Sequence, residues 1–304
     1  MPPPNLPDSY TSLSLPALRL SHHPPSSPTV TPVIVVSLHR PSALNAFTDT
    51  MANSLVAAFN MLSDDPRVRA VVLASSDPAN KTFCVGMDFN DKGETPFVDK
   101  AELHRDQGGR VALAMYSCNK PVVAAINGSA VGVGITMTLP ANIRVASRDA
   151  KVGFVFGRRG LCLEACSSFF LPRLVGASKA LHLVSTAAVY HASHKLFSDL
   201  FSDVVAPDQV LPTALAIADD IAANVSPVAS RVIKDMIYRA PATPEEAHLL
   251  ESKLFHALVL GEDAQEGRAS FLEKRRPDFK ATMDDAPSWF PWWSPVDVRV
   301  KPKI

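Results

Sequence analysis

Short apolar runs alternate with amphipathic stretches along the first two thirds of this chain, and the alternation predicts strands and helices in turn. Leu13–Leu20, Val33–Leu38, Val68–Ala74 and Val122–Ile126 read as strands, with Thr82–Cys84 a further short one. Between the second and third runs, Met51, Leu55, Phe59 and Leu62 recur at helical spacing. Thr48 is placed to cap that helix, Asp49 falls in its first turn, and Asp64-Asp65-Pro66 closes it. A second helix is expected around Ala101–Ser117. Strand, helix and strand in repeated order predict a mainly parallel α/β core. After Pro207 the period changes. Val210–Val225, Pro227–Tyr238, Pro244–Leu260 and Glu262–Lys274 read as helices with no strand run between them. Their faces are too apolar to be left wet, so this module should pack on the core or on another subunit.

Composition narrows the function classes. With 304 residues and 47% hydrophobic content, the chain can bury a large core. Lys+Arg and Asp+Glu each total 30, which gives no electrostatic case for nucleic acid. No apolar run is long enough to span a membrane, and the Pro- and Ser-rich start lacks a signal-peptide pattern, so a soluble intracellular protein is expected. Residues 1–12 are expected to be disordered. The four cysteines (84, 118, 162, 166) lack metal-type pairing and are expected to be small core residues, with no metal site. His22 and His23, in a Pro/Ser turn, are expected to face solvent. Trp289–Trp293 reads as a packed aromatic anchor.

The chemistry concentrates in Lys120–Gly134, KPVVAAINGSAVGVG. A buried strand runs through glycines at 128, 132 and 134 into the apolar start of a helix, Ile135–Leu139. Such a turn brings bare backbone N–H groups to a helix N-terminus, where negative charge is stabilised. A phosphate or the oxyanion of a reacting carbonyl suits the place. The dinucleotide fingerprint wants Gly at 132, 134 and 137, and residue 137 is Met.

Four segments, HRPSALNAF (39–47), KTFCVGMDF (81–89), KPVVAAINGSAVGVG (120–134) and LPRLVGASKAL (171–181), resemble the crotonase, or enoyl-CoA hydratase/isomerase, superfamily. So does EDAQEGRASFLEKRRPDF (262–279), and the resemblance runs in order over roughly 30–280. It implies an α/β fold: a crotonase (ClpP-like) ββα spiral core over 13–206 and a helical trimerisation module over 207–280, then a tail over 281–304. It also implies a homotrimer or hexamer and acyl-CoA substrates, with CoA part of the substrate and no further cofactor. By motif position, the thioester oxygen would sit between the N–H groups of Met87 and Val133. The implied substrate-binding residues are Val85, Gly86, Met87, Asp88, Phe89, Gly132, Val133 and Gly134. Lys274, Arg275 and Arg276 are candidates for the CoA phosphates, against a solvated basic helix end.

Hydratases of this family carry one glutamate two residues after the last loop glycine and a second after the next strand. Thr136 and Phe156 stand at those positions here, and neither takes a proton from water. Glu164, in Gly160-Leu161-Cys162-Leu163-Glu164, resembles instead the single catalytic glutamate of peroxisomal and yeast-type Δ3,Δ2-enoyl-CoA isomerases. Its apolar neighbours would raise its pKa; the alternative is an ion pair with Arg158, Arg159 or Arg173. The resemblance thus implies an enoyl-CoA isomerase/hydratase that shifts a 3-enoyl to a 2-enoyl double bond, in fatty-acid β-oxidation or fungal secondary metabolism. The alternatives are a hydratase on an unusual branched or polyunsaturated acyl-CoA, with Glu94, Asp88 or Asp91 as second acid, or a non-catalytic acyl-CoA-binding member. Pro302-Lys303-Ile304 partly matches a peroxisomal tripeptide, which makes the peroxisome and its import receptor the expected address, otherwise the cytoplasm.

Overall fold

The computed structural model describes residues 6–90 and 100–298. Asp91, Glu94 and Pro302-Lys303-Ile304 lie outside the described residues. In chain order the strands are β1 (Leu18–His23), β2 (Val33–Leu38), β3 (Ala70–Ser75), β4 (Thr82–Cys84), β5 (Val122–Ile126), β6 (Ser129–Val131), β7 (Ile143–Ser147), β8 (Lys151–Gly153), β9 (Val189–His191) and β10 (Asp203–Val205). The helices are α1 (Asp49–Asp64), α2 (Gln107–Ser117), α3 (Val133–Thr136), α4 (Ser167–Val175), α5 (Ala177–Thr186), α6 (Val210–Asn224), α7 (Pro227–Tyr238), α8 (Pro244–Val259) and α9 (Glu262–Glu273).

Two sheets share the core. One has the order β1-β2-β3-β5-β7-β10 and is parallel except for β1 on β2; the other has the order β4-β6-β8-β9. Successive passes of the chain therefore leave β3, β5 and β7 in the first sheet and β4, β6 and β8 in the second. This is the ββα spiral that the resemblance implies. The strand runs are apolar throughout because both faces of the first sheet are covered. Ile34, Val36 and Leu38 of β2 join the main core, while Val33 and Val35 join Val72, Val123 and Val145 under Val210, Ala214 and Ala218 of α6. Thr48 caps α1 as expected, its hydroxyl accepting from Met51 N at 3.1 Å.

The N-terminal reading needs correction. Tyr10, inside the stretch expected to be disordered, is fully buried and donates from Oη to Asp65 Oδ2 at 2.9 Å. His22 is buried too, not in solvent. Its Nε2 accepts from Tyr10 N at 3.2 Å, so Nδ1 carries the proton and donates to Ser27 O at 3.0 Å. β1 begins at Leu18 rather than Leu13, and Leu13 and Leu15 pack on the core outside the strand. Of the cysteines, 84 and 118 are buried, but Cys162 is exposed and Cys166 half-buried.

The C-terminal helices are anchored through one end of α2. Arg231 of α7 donates to Ser117 O and to Asn119 Oδ1 (3.0 Å), and Lys234 Nζ donates to Met115 O at 3.3 Å. These cations meet the carbonyl end of α2, where the helix dipole favours positive charge. Asp235 partners Arg231 at 2.6 Å, and burial pushes the Lys234 ammonium down to about 8. Trp289, Phe290 and Trp292 pack on Val228, Val232 and Leu254, as an aromatic anchor should. No helix among the described residues is long and apolar enough to cross a membrane.

Candidate active site

Strands β4 and β6 are parallel neighbours, so the segments leaving their C-terminal ends emerge side by side. One is Val85-Gly86-Met87-Asp88-Phe89; the other turns at Gly132 into α3. Gly86 has φ +102° and Gly132 φ +57°, where a Cβ is disfavoured. A Cβ built on Gly132 would lie 3.9 Å from Gly86 Cα, so the two turns abut. Phe47 N donates to Gly86 O at 2.8 Å, and Asp88 N donates to Phe47 O at 2.9 Å. This bridge uses the groups flanking Met87, which turns Met87's own N–H to the opposite side. Among the described residues, neither Met87 N–H nor Val133 N–H has a backbone acceptor. The side chains of Met87, Val85 and Phe89 are exposed, so the main chain of Met87 is the part with a fixed place.

Glu164 is held at the first turn of α3. The fully buried Thr136, three residues after Val133, donates from its hydroxyl to Glu164 Oε1. Ser167 N and Oγ fix the Glu164 carbonyl at 2.9 and 2.6 Å. Ala165 and Cys166 follow with φ +53° and +55°, a left-handed pair without glycine. Strain of that kind typically costs about 1–3 kcal/mol per residue and gathers where function needs a fixed geometry. No ion pair joins Glu164 to Arg158, Arg159 or Arg173 among the described residues. Arg158 bonds Thr186 O at 3.2 Å, and Arg173 lies over the Phe169 ring at 3.7 Å. Burial pushes the Glu164 carboxyl up to about 7; the Thr136 hydroxyl works against this and the neighbouring Asp106 charge works with it.

Asp106 is the residue that sequence reasoning missed. It caps α2, accepting from Gly109 N at 2.5 Å, and its Oδ1 also accepts from Ala165 N at 3.1 Å, 59 residues away. An Asp before a helix signals a cap; nothing in its spacing signals Glu164. Phe156 is buried in the turn Val155–Arg159, and Asp88 pairs with Arg40 at 3.0 Å. Lys274 caps the C-terminus of α9, Arg275 and Arg276 follow it, and Arg275 is engaged by Glu273 at 2.6 Å and Glu266 at 2.9 Å. That cation is held by the helix's own acids. No group of His, Cys, Asp and Glu among the described residues could hold a metal ion.

Two main-chain N–H groups without a backbone acceptor among the described residues thus stand on neighbouring turns, and a carboxyl that burial raises to about 7 is held one helical turn from the second. The model of the enoyl-CoA hydratase/isomerase family matches residues 29–282. A protein of Alternaria alternata named enoyl-CoA hydratase AFT3-1 is 43% identical over 280 residues, 90% of each chain. The 2,3-dehydroadipyl-CoA hydratase of Escherichia coli is 30% identical over 249 residues, 82% of this chain and 95% of that protein. Among solved structures, a probable enoyl-CoA hydratase/isomerase from Mycobacterium abscessus is similar with a TM-score of 0.76 at 30% identity, covering 87% of this chain and 100% of that one.

Proposed function

The chain belongs to the enoyl-CoA hydratase/isomerase family and is an enzyme acting on acyl-CoA thioesters; from that premise we propose that it moves a 3-enoyl double bond to the 2-position, with Glu164 as acid and base. The observation that carries the reading is the half-buried Glu164 held by Thr136 on α3, while Thr136 and Phe156 occupy the places where family hydratases keep carboxylates. A 3-enoyl thioester gives up a C2 proton only if the enolate oxygen is stabilised. Met87 N–H and Val133 N–H would bind that oxygen. The Glu164 carboxylate takes the C2 proton, the electron pair spreads over C2, C3, C4 and the oxygen as a dienolate, and the carboxylic acid returns the proton to C4. One carboxyl suffices, and no net proton is gained or lost.

A second reading is hydration of a 2-enoyl thioester. The relatives' names favour it, and Asp106 adds a second carboxyl beside Glu164, which water addition usually needs. Parallel assays with 3-hexenoyl-CoA and crotonyl-CoA separate the two, because conjugation raises ultraviolet absorbance and hydration lowers it. We expect turnover of 3-hexenoyl-CoA to dominate; hydration of crotonyl-CoA with no isomerisation would overturn the first reading. The physiological setting we assign is β-oxidation or a fungal secondary pathway, and accumulation of a 3-enoyl-CoA after gene deletion tests it.

The outer faces of the C-terminal helices support a homotrimer or hexamer. Ile237, Leu249, Phe255, Phe271 and Leu272 are 71–81% exposed in the single chain, and large apolar side chains on three successive helices suit burial against another copy. Sedimentation equilibrium should give three or six chains per particle, and a monomer at micromolar concentration would refute the assembly.

A further inference from the structure

The first turn of α2 and the Glu164 segment bring two carboxyl groups together, and they are served unequally. Asp106 receives two backbone N–H groups, from Gly109 and Ala165. Among the described residues, Glu164 receives the Thr136 hydroxyl alone. Its second oxygen, Oε2, rests against Gly108, where any Cβ would sit 1.9 Å from it. Glycine at 108 is thus what lets the Glu164 carboxyl lie beside that of Asp106. The groups that face Glu164 are Asp106 from α2, Thr136 from α3, Cys84 from β4 and Cys166 from its own segment, and none of them is a cation.

We propose that Asp106 is a positioning residue for Glu164: an anchored anion that fixes the Glu164 loop through Ala165 N and makes the Glu164 carboxylate a stronger base. The inference rests on Glu164 being the proton carrier, in either reaction considered above. The physical reason lies in the two protonation states. When Glu164 is protonated, its O–H can donate to Asp106; when it is ionised, two half-buried anions face each other. Two backbone N–H groups fix the Asp106 carboxyl in place, while Glu164, served by one hydroxyl, is the group that burial raises. Burial alone already raises Glu164, and Asp106 moves it further in the same direction. A base matched in this way abstracts a proton from carbon more effectively at neutral pH.

Asp106→Asn isolates the effect, because Asn caps a helix as well as Asp and keeps the oxygen for Gly109 N and Ala165 N. Asp106→Ser is a second neutral cap, and Thr136→Val removes the one donor that favours the Glu164 anion. Two readouts apply: the pH dependence of kcat/KM with 3-hexenoyl-CoA, and infrared titration of the Glu164 carboxylic-acid band in the free protein, identified by its absence in Glu164→Gln. Both neutral caps should move the Glu164 midpoint down by about one pH unit or more, and Thr136→Val should move it up. A purely structural cap predicts a midpoint unchanged in Asp106→Asn and Asp106→Ser, and that result overturns the proposal. The infrared titration decides even where a variant does not turn over. If Glu164→Gln keeps full turnover while the caps still shift the band, the base assignment fails and the Asp106 effect stands. If Glu164→Gln is inactive and the band does not move, the reverse holds.

Discussion

Glu164→Gln should fold normally, bind CoA esters as before, and lose at least about 10²-fold in kcat, the low end of a general-base contribution. Gln keeps the acceptor for the Thr136 hydroxyl and offers an N–H toward Asp106, so geometry survives while the proton carrier is gone. Retention of more than about a tenth of wild-type kcat would be incompatible with Glu164 as the base. The variant should also change stability, in a pH-dependent way. The folded protein holds the Glu164 proton more tightly than the unfolded chain does, because burial raises the carboxyl from 4.5 to about 7. That contribution is fully present below pH 4.5 and is lost as pH rises through about 7. Above this range the wild-type enzyme carries a penalty of roughly 3 kcal/mol, at about 1.4 kcal/mol per pH unit, that Gln does not. Denaturant melts at pH 8.5 should therefore find Glu164→Gln more stable than wild type, with the gap closing near pH 4.5. Equal stability at both pH values would mean that the carboxyl is not held in its raised state by the fold.

The core was legible in the sequence because both faces of its sheet are buried. β2, β4 and β5 fall on the expected residues, since an apolar run with no polar alternation has one comfortable place in a parallel sheet. The Thr48 cap and the four C-terminal helices were legible for a similar reason: caps and helical period are local signals. Contacts between distant segments left no such trace. The Pro-rich start gives no hint that Tyr10 finds Asp65, or that His22 is buried beneath the Tyr10 backbone. Glu164 was visible through a motif resemblance, and its apolar neighbours gave the direction of its pKa. Asp106 was invisible, because its hydrogen bond to Gly109 is local and its bond to Ala165 is not. Arg275 shows another non-local limit: sequence left it open between a CoA-phosphate contact and a solvated basic helix end, and gave no sign of its ion pairs with Glu266 and Glu273.

Gly134→Ala should lower kcat by about 10²–10³-fold, the effect of losing one oxyanion donor, with a smaller change in KM. The reason is space. A Cβ at 134 would sit 2.2 Å from Cys84 O and 3.0 Å from Cys84 C, and both are backbone atoms of β4 rather than the end of a yielding side chain. One of two things must then move: the start of α3, which carries Val133 N–H, or the end of β4, which leads to Met87 N–H. Either movement would separate the two proposed oxyanion donors, whose value depends on converging on a single oxygen. Gly132 is constrained differently, since a Cβ there would meet nothing closer than Gly86 Cα at 3.9 Å and the obstacle is its φ of +57°. Cys84, Val133 and Ile135 belong to the main core, so the fold is checked separately: Gly134→Ala should retain its far-ultraviolet circular dichroism and its affinity for free CoA. Those two measurements separate a displaced oxyanion hole from an unfolded protein. A folded Gly134→Ala enzyme with wild-type kcat would show that the Val133 and Met87 N–H groups do not carry the transition state.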